Sequence, residues 1–570
     1  MRFALCFLVA CAGPASRAVV RPLSEHTLPA RAFPTTSIYH VNLADEVDET
    51  GPFRRVEIPE LWIVKPEQPV ADWPWFWQQM RTHGFTGFDF SAVDVVDWGS
   101  IPADIHALRV TGREDLDDVE ALLRRSPWLT WLDLANTKAS DRTCALIAEL
   151  PRLQRISLAE TEISDICVAR LALHRQLERL DLQKTLVTDA GVIKLTSLPL
   201  LASLSLAHTR VSDASVAPLL DHFAFRALNL AETGASHRSQ QRLAKTTSFE
   251  RLDLSKTQVS AKVVRSLLRH PYLQWLSLAG VAVGDSDVAA LTALRRIEVL
   301  DVSESAITKL DPLAQLERLR LLSFSGTVVY QLEPIAGLRG LSYLDASDTL
   351  VDDNAIQSLR GLPLQTLDLT GTRITSLAPL TPLKRLRELH LGKTQITRVD
   401  ALAEFPFLRV LSLKGTKLES LAPVEGLSGL ERLSLAGAQF SALSLRKLTH
   451  LVLLNLNDTA VSSAELDALS SDALLVLQLA RTKVDAAALS RTLPRLQTLQ
   501  TLDLAGLPID EAAVTGVSLP RLRVLNLSHT QVHDLSRLTL PRLERLYLMG
   551  VELTKDGLPD RKRLPRLVGP

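Results

Sequence analysis

Three sets of residues in this 570-residue chain have types and spacings that could do chemistry. The first is a recurring threonine, among them Thr137, Thr161, Thr185, Thr209 and Thr257, each just after a short leucine-rich run. A threonine hydroxyl becomes a nucleophile beside a base, and no base keeps register with this series. The same hydroxyl offers one donor and two lone pairs. Pointed inward, it can satisfy backbone groups at a turn. The series is therefore expected to be a structural ladder. The second set is His529 and His533 in "SHTQVHD", spaced like metal ligands but on a repeat turn without partner cysteines. The third is four cysteines, Cys6, Cys11, Cys144 and Cys167. Their spacing matches neither a disulfide framework nor a zinc site. Cys144 and Cys167 sit among apolar neighbours at nearly equivalent places in adjacent repeats. Two buried free thiols are expected there, with a disulfide between adjacent repeats as the alternative. There is no P-loop, no G-x-S-x-G and no H-E-x-x-H. No catalytic residue, no metal and no cofactor is expected, and the chain reads as a non-enzyme.

The elements that hold these residues are set by repetition. From Leu129 the pattern L-x-x-L-x-L-x-x-T-x-V/I recurs, starting again at Leu153, Leu177, Leu201, Phe225, Phe249, Leu273 and Ile297. It continues at a shorter spacing from Leu319 to Leu451, then more loosely through Leu474, Leu499, Leu522 and Leu543. About 19 units result, the earlier ones about 24 residues long and the later ones about 22. Two weaker units precede them, from Phe85 and Ile105. One unit exposes too much leucine to stand alone, whereas stacking buries each unit's leucines against the next.

The pattern resembles the leucine-rich-repeat family over roughly three quarters of the chain. The resemblance implies an α/β fold: a right-handed solenoid with a parallel concave β-sheet and short helices or 3-10 turns on the convex side. The 24-residue units, with "SDxxVxxLxxxP"-like flanks, suit a short convex helix. The 22-residue units, such as "ITSLAPLTPLKRL", are similar to bacterial internalin-type repeats with tighter 3-10 turns. In the commonest repeats of the family an asparagine stands where threonine stands here.

The expected organisation is a possible signal at 1–18, a tether at 19–35, a cap with degenerate repeats at 36–128, the array at 129–553 and a tail at 554–570. Seven of the eight tryptophans lie by residue 131. "DWPWFWQQMRTHG" reads as a cap helix with Asp72 at its start, Pro74 in its first turn and Gly84 past its end. Trp73 and Trp77 share one face, as do Phe76 and Met80. "DLDDVEALLRRSP" reads as a second helix leading into the first clear repeat. At the N-terminus, Arg2 precedes an apolar stretch and small residues, a secretory signal in outline. "LVAC" resembles a bacterial lipobox, which implies a lipid on Cys11.

Function is then a matter of which side chains face outward. Lys plus Arg and Asp plus Glu number 64 each, so bulk charge draws the chain neither to nucleic acid nor to anionic lipid. No apolar run reaches the roughly 18 residues of a membrane span. Strand alternation sends Asp133, Ser157, Asp181, Ser205, Asn229, Asp253, Ser277, Asp301, Ser323, Asp345 and Asp368 outward as one column, expected to be a solvated ladder. In the helical-repeat unit of Leu177 the expected outward residues are Glu178, Arg179, Asp181, Gln183 and Lys184. A second column, two residues earlier, holds Trp131, Arg155 and Arg179, then Trp275, Val299, Leu321 and Tyr343. These seven are the candidate partner-binding residues, because aromatic anchors favour protein interfaces. The reading is a protein-binding module at the bacterial cell envelope or secreted. An intracellular scaffold and a structural envelope protein are the alternatives.

Overall fold

A computed structural model describes residues 36–41, 61–66, 73–82, 86–91, 96–113, 115–243, 245, 248–441, 443–554 and 557. Cys6, Cys11, Asp72, Gly84 and most of the tail lie outside the described residues. The described residues form two compact parts, divided between Leu273 and Gln274.

The N-terminal part starts with strand Thr36–Val41, antiparallel to Leu61–Pro66. Leu61–Pro66 pairs in parallel with Gly87–Asp89, and parallel strands then follow one per repeat to Arg251–Asp253. The two weak units from Phe85 and Ile105 are genuine coils, with strands Gly87–Asp89 and Ala107–Arg109. Helix Trp73–Thr82 covers the start of the stack. Phe76 and Met80 are fully buried, and Trp73 stacks on Trp77 at 5.5 Å. Phe88 and Phe90 from the first coil complete the aromatic seal. The second expected helix runs Asp117–Arg124. Later coils return through helices such as Asp141–Ile147, Asp165–Leu171 and Asp213–His222.

The C-terminal part is a parallel sheet from Trp275–Ser277 to Arg545–Tyr547, again one three-residue strand per coil. Its 22-residue coils return mostly through 3-10 turns: Asp311–Gln315, Glu333–Ile335, Ala378–Leu380, Asp400–Glu404 and Ala422–Gly426. Proline in the first turn recurs there, where its missing N–H costs nothing. Two residues fewer leave no length for an α-helical return.

Inside each coil the leucines are buried; Leu177, Leu180 and Leu182 are all at 2% exposure or less. The threonine hydroxyls face the same interior. Thr185 Oγ1 donates to the Leu182 carbonyl at 2.6 Å, and all fourteen threonines of the series make the equivalent bond to the carbonyl three residues back. Ser305 does the same to Val302.

The residue just before the threonine has positive φ in all nineteen coils, for example Lys184 at 53° and His529 at 59°. Only glycine adopts that conformation without a steric cost. Twelve coils place a non-glycine residue there, and every one of those is followed by threonine or serine. The four coils that lack the hydroxyl, at Val281, Ala438, Leu507 and Val551, all have glycine before it: Gly280, Gly437, Gly506 and Gly550. No coil therefore carries both the strained backbone and the missing hydroxyl, and three, at Gly326, Gly371 and Gly415, carry neither.

A second ladder runs along the helix starts. Asp165 accepts from the Thr188 amide at 2.8 Å and the Thr188 hydroxyl at 2.6 Å, one coil on. Asp141 holds Ser164 and Asp189 holds Ser212 in the same way. In the C-terminal part Asp285 holds Thr308. Burial alone would raise the pKa of Asp189, but the bonds from Ser212 and Ser215 outweigh it and hold the carboxyl below its ordinary value. Ser164, Thr188 and Ser212 also start their own helices, as Ser164 does by accepting from the Ile166 amide.

Cys144 and Cys167 form a disulfide, with Cα atoms 5.3 Å apart. The expectation of two free thiols is thereby corrected. Both cysteines face inward from consecutive helices, and neighbouring coils bring their Cα atoms within bridging range.

Candidate interaction face

The open face of the sheet is built from the side chains that alternate with the leucines. The column Asp133 to Asp368 is mostly buried, with only Ser157 and Asp181 half-buried, which corrects the expectation of a solvated ladder. Asp301 is 1% exposed, and Asp253, Ser277, Ser323, Asp345 and Asp368 are also buried. Its acidic members turn back onto their own chain: Asp301 Oδ1 accepts from the Ser303 amide at 3.0 Å, and Asp345 accepts from Ser347 at 3.0 Å. Asn229, Asn455 and Asn526 make the same bond to the amide two residues on. The column thus closes the chain where it leaves each strand. Gln183, expected outward, is likewise buried.

That burial changes the acids. Asp301 is pushed up to about 6, chiefly by loss of water, with Asp345 adding repulsion and the Ser303 and Ser277 bonds opposing. Asp181 is also pushed up to about 6 by burial, opposed by the Gln183 amide and reinforced by Asp133. Asp133 is raised by burial against the pull of Arg109, whose Nε stands 3.1 Å from its carboxylate.

The column two residues earlier is the variable one. Trp131, Arg155 and Arg179 stand in register on adjacent parallel strands, with Arg155 buried and the other two half-buried. Trp275, Val299, Leu321 and Tyr343 are likewise in register on four successive strands. At about 4.8 Å per strand they run for roughly 14 Å. Trp275 is buried, and Val299, Leu321 and Tyr343 are half-buried. The run is thus a low apolar strip whose exposed edge begins after its tryptophan. The same column continues with half-buried Val410, Leu453, Val476 and Val524, which the sequence reading missed although the register would have found them.

Exposed large apolar side chains lie elsewhere, including Leu173 and Leu200 in the N-terminal part and Val328, Tyr330 and Phe407 in the C-terminal part. His533 Nδ1 lies 2.9 Å from the Glu552 carbonyl, a turn contact. No group of three or more ligating residues suited to a metal occurs among the described residues.

A strand, a left-handed turn and a short return, stacked coil on coil into a parallel sheet with one open face, define a solenoid repeat protein. Residues 364–404 match the family model for leucine rich repeats in two copies, and the chain has the leucine-rich-repeat solenoid fold. No curated protein matches the chain. Among solved structures, an internalin (inlF) from Listeria monocytogenes is similar at 21% identity, over 54% of this chain and 88% of that one, with a TM-score of 0.38. The ectodomain of the receptor kinase GASSHO1/SCHENGEN3 from Arabidopsis thaliana, solved with Casparian strip integrity factor 2, is 17% identical over 80% of this chain and 62% of that one, with a TM-score of 0.42. A TLR13–ssRNA13 complex is 18% identical over 81% and 79%, with a TM-score of 0.45. These likenesses are of fold.

Proposed function

We propose that the chain is a non-enzymatic recognition module that binds a protein partner through the open face of its sheet, at the bacterial cell envelope or beyond it. The observation that carries this reading is the in-register strip Trp275–Val299–Leu321–Tyr343. It lies beside a column already committed to closing the turns, so the variable column is where a partner would be read. Aromatic and aliphatic side chains in register beside a polar column are the usual core of a protein interface. The Cys144–Cys167 disulfide supports export, because such bonds persist in oxidising compartments. An apolar N-terminal stretch ending at Cys11 supports a lipid anchor as the means of attachment.

The test is affinity capture from the native host with the wild type and with a Trp275→Ala, Tyr343→Ser double variant. Folding of both is checked by circular dichroism. A partner held by the wild type is expected to be lost by the variant. Equal capture by a folded variant would remove the strip from consideration.

A further inference from the structure

We propose that a pocket on the flank of the C-terminal part captures the C-terminal residue of a peptide, with the free α-carboxylate on Arg387 and an apolar side chain against Phe407. The site lies ahead of the strands and is separate from the strip on the open face.

The first observation is an unbalanced charge. Just before each strand the chain carries a mostly polar column, broken by Ala202, Val452 and Leu475. Its other arginines are each matched by a glutamate one coil away: Arg226 with Glu250 at 2.8 Å, Arg320 with Glu298 at 3.5 Å, Arg409 with Glu431 at 2.7 Å and Arg523 with Glu544 at 2.8 Å. Arg387 breaks the pattern. One coil before it stands Gln365 and one coil after it stands Arg409, whose amide bonds the Arg387 carbonyl at 2.8 Å. Among the described residues the Arg387 guanidinium makes no ion pair and no side-chain hydrogen bond, and the residue is exposed.

The second observation is the cavity beside it. A pocket of about 300 Å³ is lined by Arg387, Phe407, Arg409, Gly429, Glu431 and His450. Phe407 is 62% exposed. Gly429 lies in the lining with Phe407 and His450, and a Cβ added to it would meet no atom within 4 Å, so the pocket is open at that position. Two guanidinium groups against one carboxylate leave the lining at least one positive charge, whatever the state of His450. Glu431 is engaged by Arg409, so the uncompensated charge resides on Arg387.

The occupant must bring one anion and one apolar group within a space at the small end of ligand pockets. A chain-terminal residue does so from a single Cα. Its carboxylate matches the flat two-pronged face of a guanidinium, and its side chain can lie on the Phe407 ring over the Gly429 gap. An internal glutamate has its anion on the side chain and must borrow the apolar group from a neighbour, which needs more room.

The experiment uses the full chain and a fluorescein-labelled peptide, Gly-Ser-Gly-Ser-Gly-Ala-Phe, with a free terminal carboxylate, followed by fluorescence anisotropy. The same peptide with a terminal amide and an amidated peptide with an internal Glu-Phe pair are the comparisons. The free acid is expected to bind saturably and the two amidated peptides at least about 10-fold more weakly, the scale of one charged hydrogen-bonded contact. Arg387→Gln and Gly429→Leu should each weaken the free acid by a similar factor. The Trp275→Ala, Tyr343→Ser variant should bind it like the wild type, which keeps this site distinct from the open-face reading. Equal binding of acid and amide, equal binding of the internal-glutamate peptide, or no saturation by on the order of 1 mM would each overturn the proposal. If either pocket variant fails to fold, the acid and amide pair on the wild type still decides.

Discussion

Exchanging Lys184 and Thr185, separately and together, tests the rule that each coil carries at most one weakness in its turn. Thr185→Val removes a buried hydroxyl bond of 2.6 Å to the Leu182 carbonyl. The net loss for such a bond is about 1 kcal/mol. A larger loss is not expected, because the backbone can take over: in the coil of Val281 the amide itself reaches the Leu278 carbonyl at 2.9 Å. Lys184→Gly relieves a left-handed residue, worth about 1 kcal/mol. Part of that is returned through the freer unfolded chain and the lost surface pair with Glu160, itself worth a few tenths (about 0.3 kcal/mol). The single glycine variant should therefore gain roughly 0.5 kcal/mol, and the double variant should sit between the single valine variant and the wild type. The converse holds where both devices have been exchanged already. Gly280→Ala forces a Cβ onto a φ of 71° with no hydroxyl to help, and should cost about 1 kcal/mol or more. Urea denaturation gives the midpoints, and hydrogen exchange at the amides of the altered coil localises the change. Binding to a partner of the open face should be unchanged by Thr185→Val. A neutral Thr185→Val together with a destabilising Lys184→Gly would refute the coupling of the two positions.

Two further predictions concern the buried acids and the disulfide. Asp301, with a folded pKa near 6 against an ordinary 3.8, contributes stability that is full below about pH 4 and lost as pH rises through 6. Asp301→Asn keeps the shape of an Oδ1 acceptor already used by Asn229, Asn455 and Asn526, so it should gain on the order of 2 kcal/mol at pH 7.5 and nothing at pH 4; a gain independent of pH in denaturation midpoints would contradict the burial argument. Reducing the Cys144–Cys167 bond, which spans 23 positions, should cost roughly 3 kcal/mol and lower the melting temperature of the N-terminal part, whereas an unchanged transition under reductant would show that the coils hold without it.

The fold was legible because its signals agree at every level. Leucine spacing alone places Leu177, Leu180 and Leu182 inside, and the same spacing sets the parallel register of every coil. Unit length distinguishes helical returns from 3-10 returns, because two residues decide whether an α-turn fits. Trp73, Phe76, Trp77 and Met80 announced a cap by their helical period. The disulfide was not legible in this way. Cys144 and Cys167 are apolar-looking positions in equivalent coils, and only the spacing of adjacent helices shows that their side chains meet.

The face was legible as a set of columns and misread in its solvation. Alternation does place Asp301 opposite Leu300, but alternation says nothing about depth. Parallel strands crowd such a short side chain between its neighbours, where the amide of Ser303 is a closer partner than water. The sequence carried a signal for this that needs no coordinates. Asp, Asn and Ser exchange freely down that column, and a charge that had to face solvent or a ligand would not be replaced by a neutral group of the same reach. The same logic separates the glycine positions from the threonines. Gly280, Gly437, Gly506 and Gly550 each precede the coil's missing hydroxyl, so two columns read together state a compensation that neither states alone. A residue such as Arg387 then becomes visible by contrast. Its column elsewhere pairs every arginine with a glutamate, so the one position that leaves a cation unmatched is the one where the repeat has stopped serving the fold.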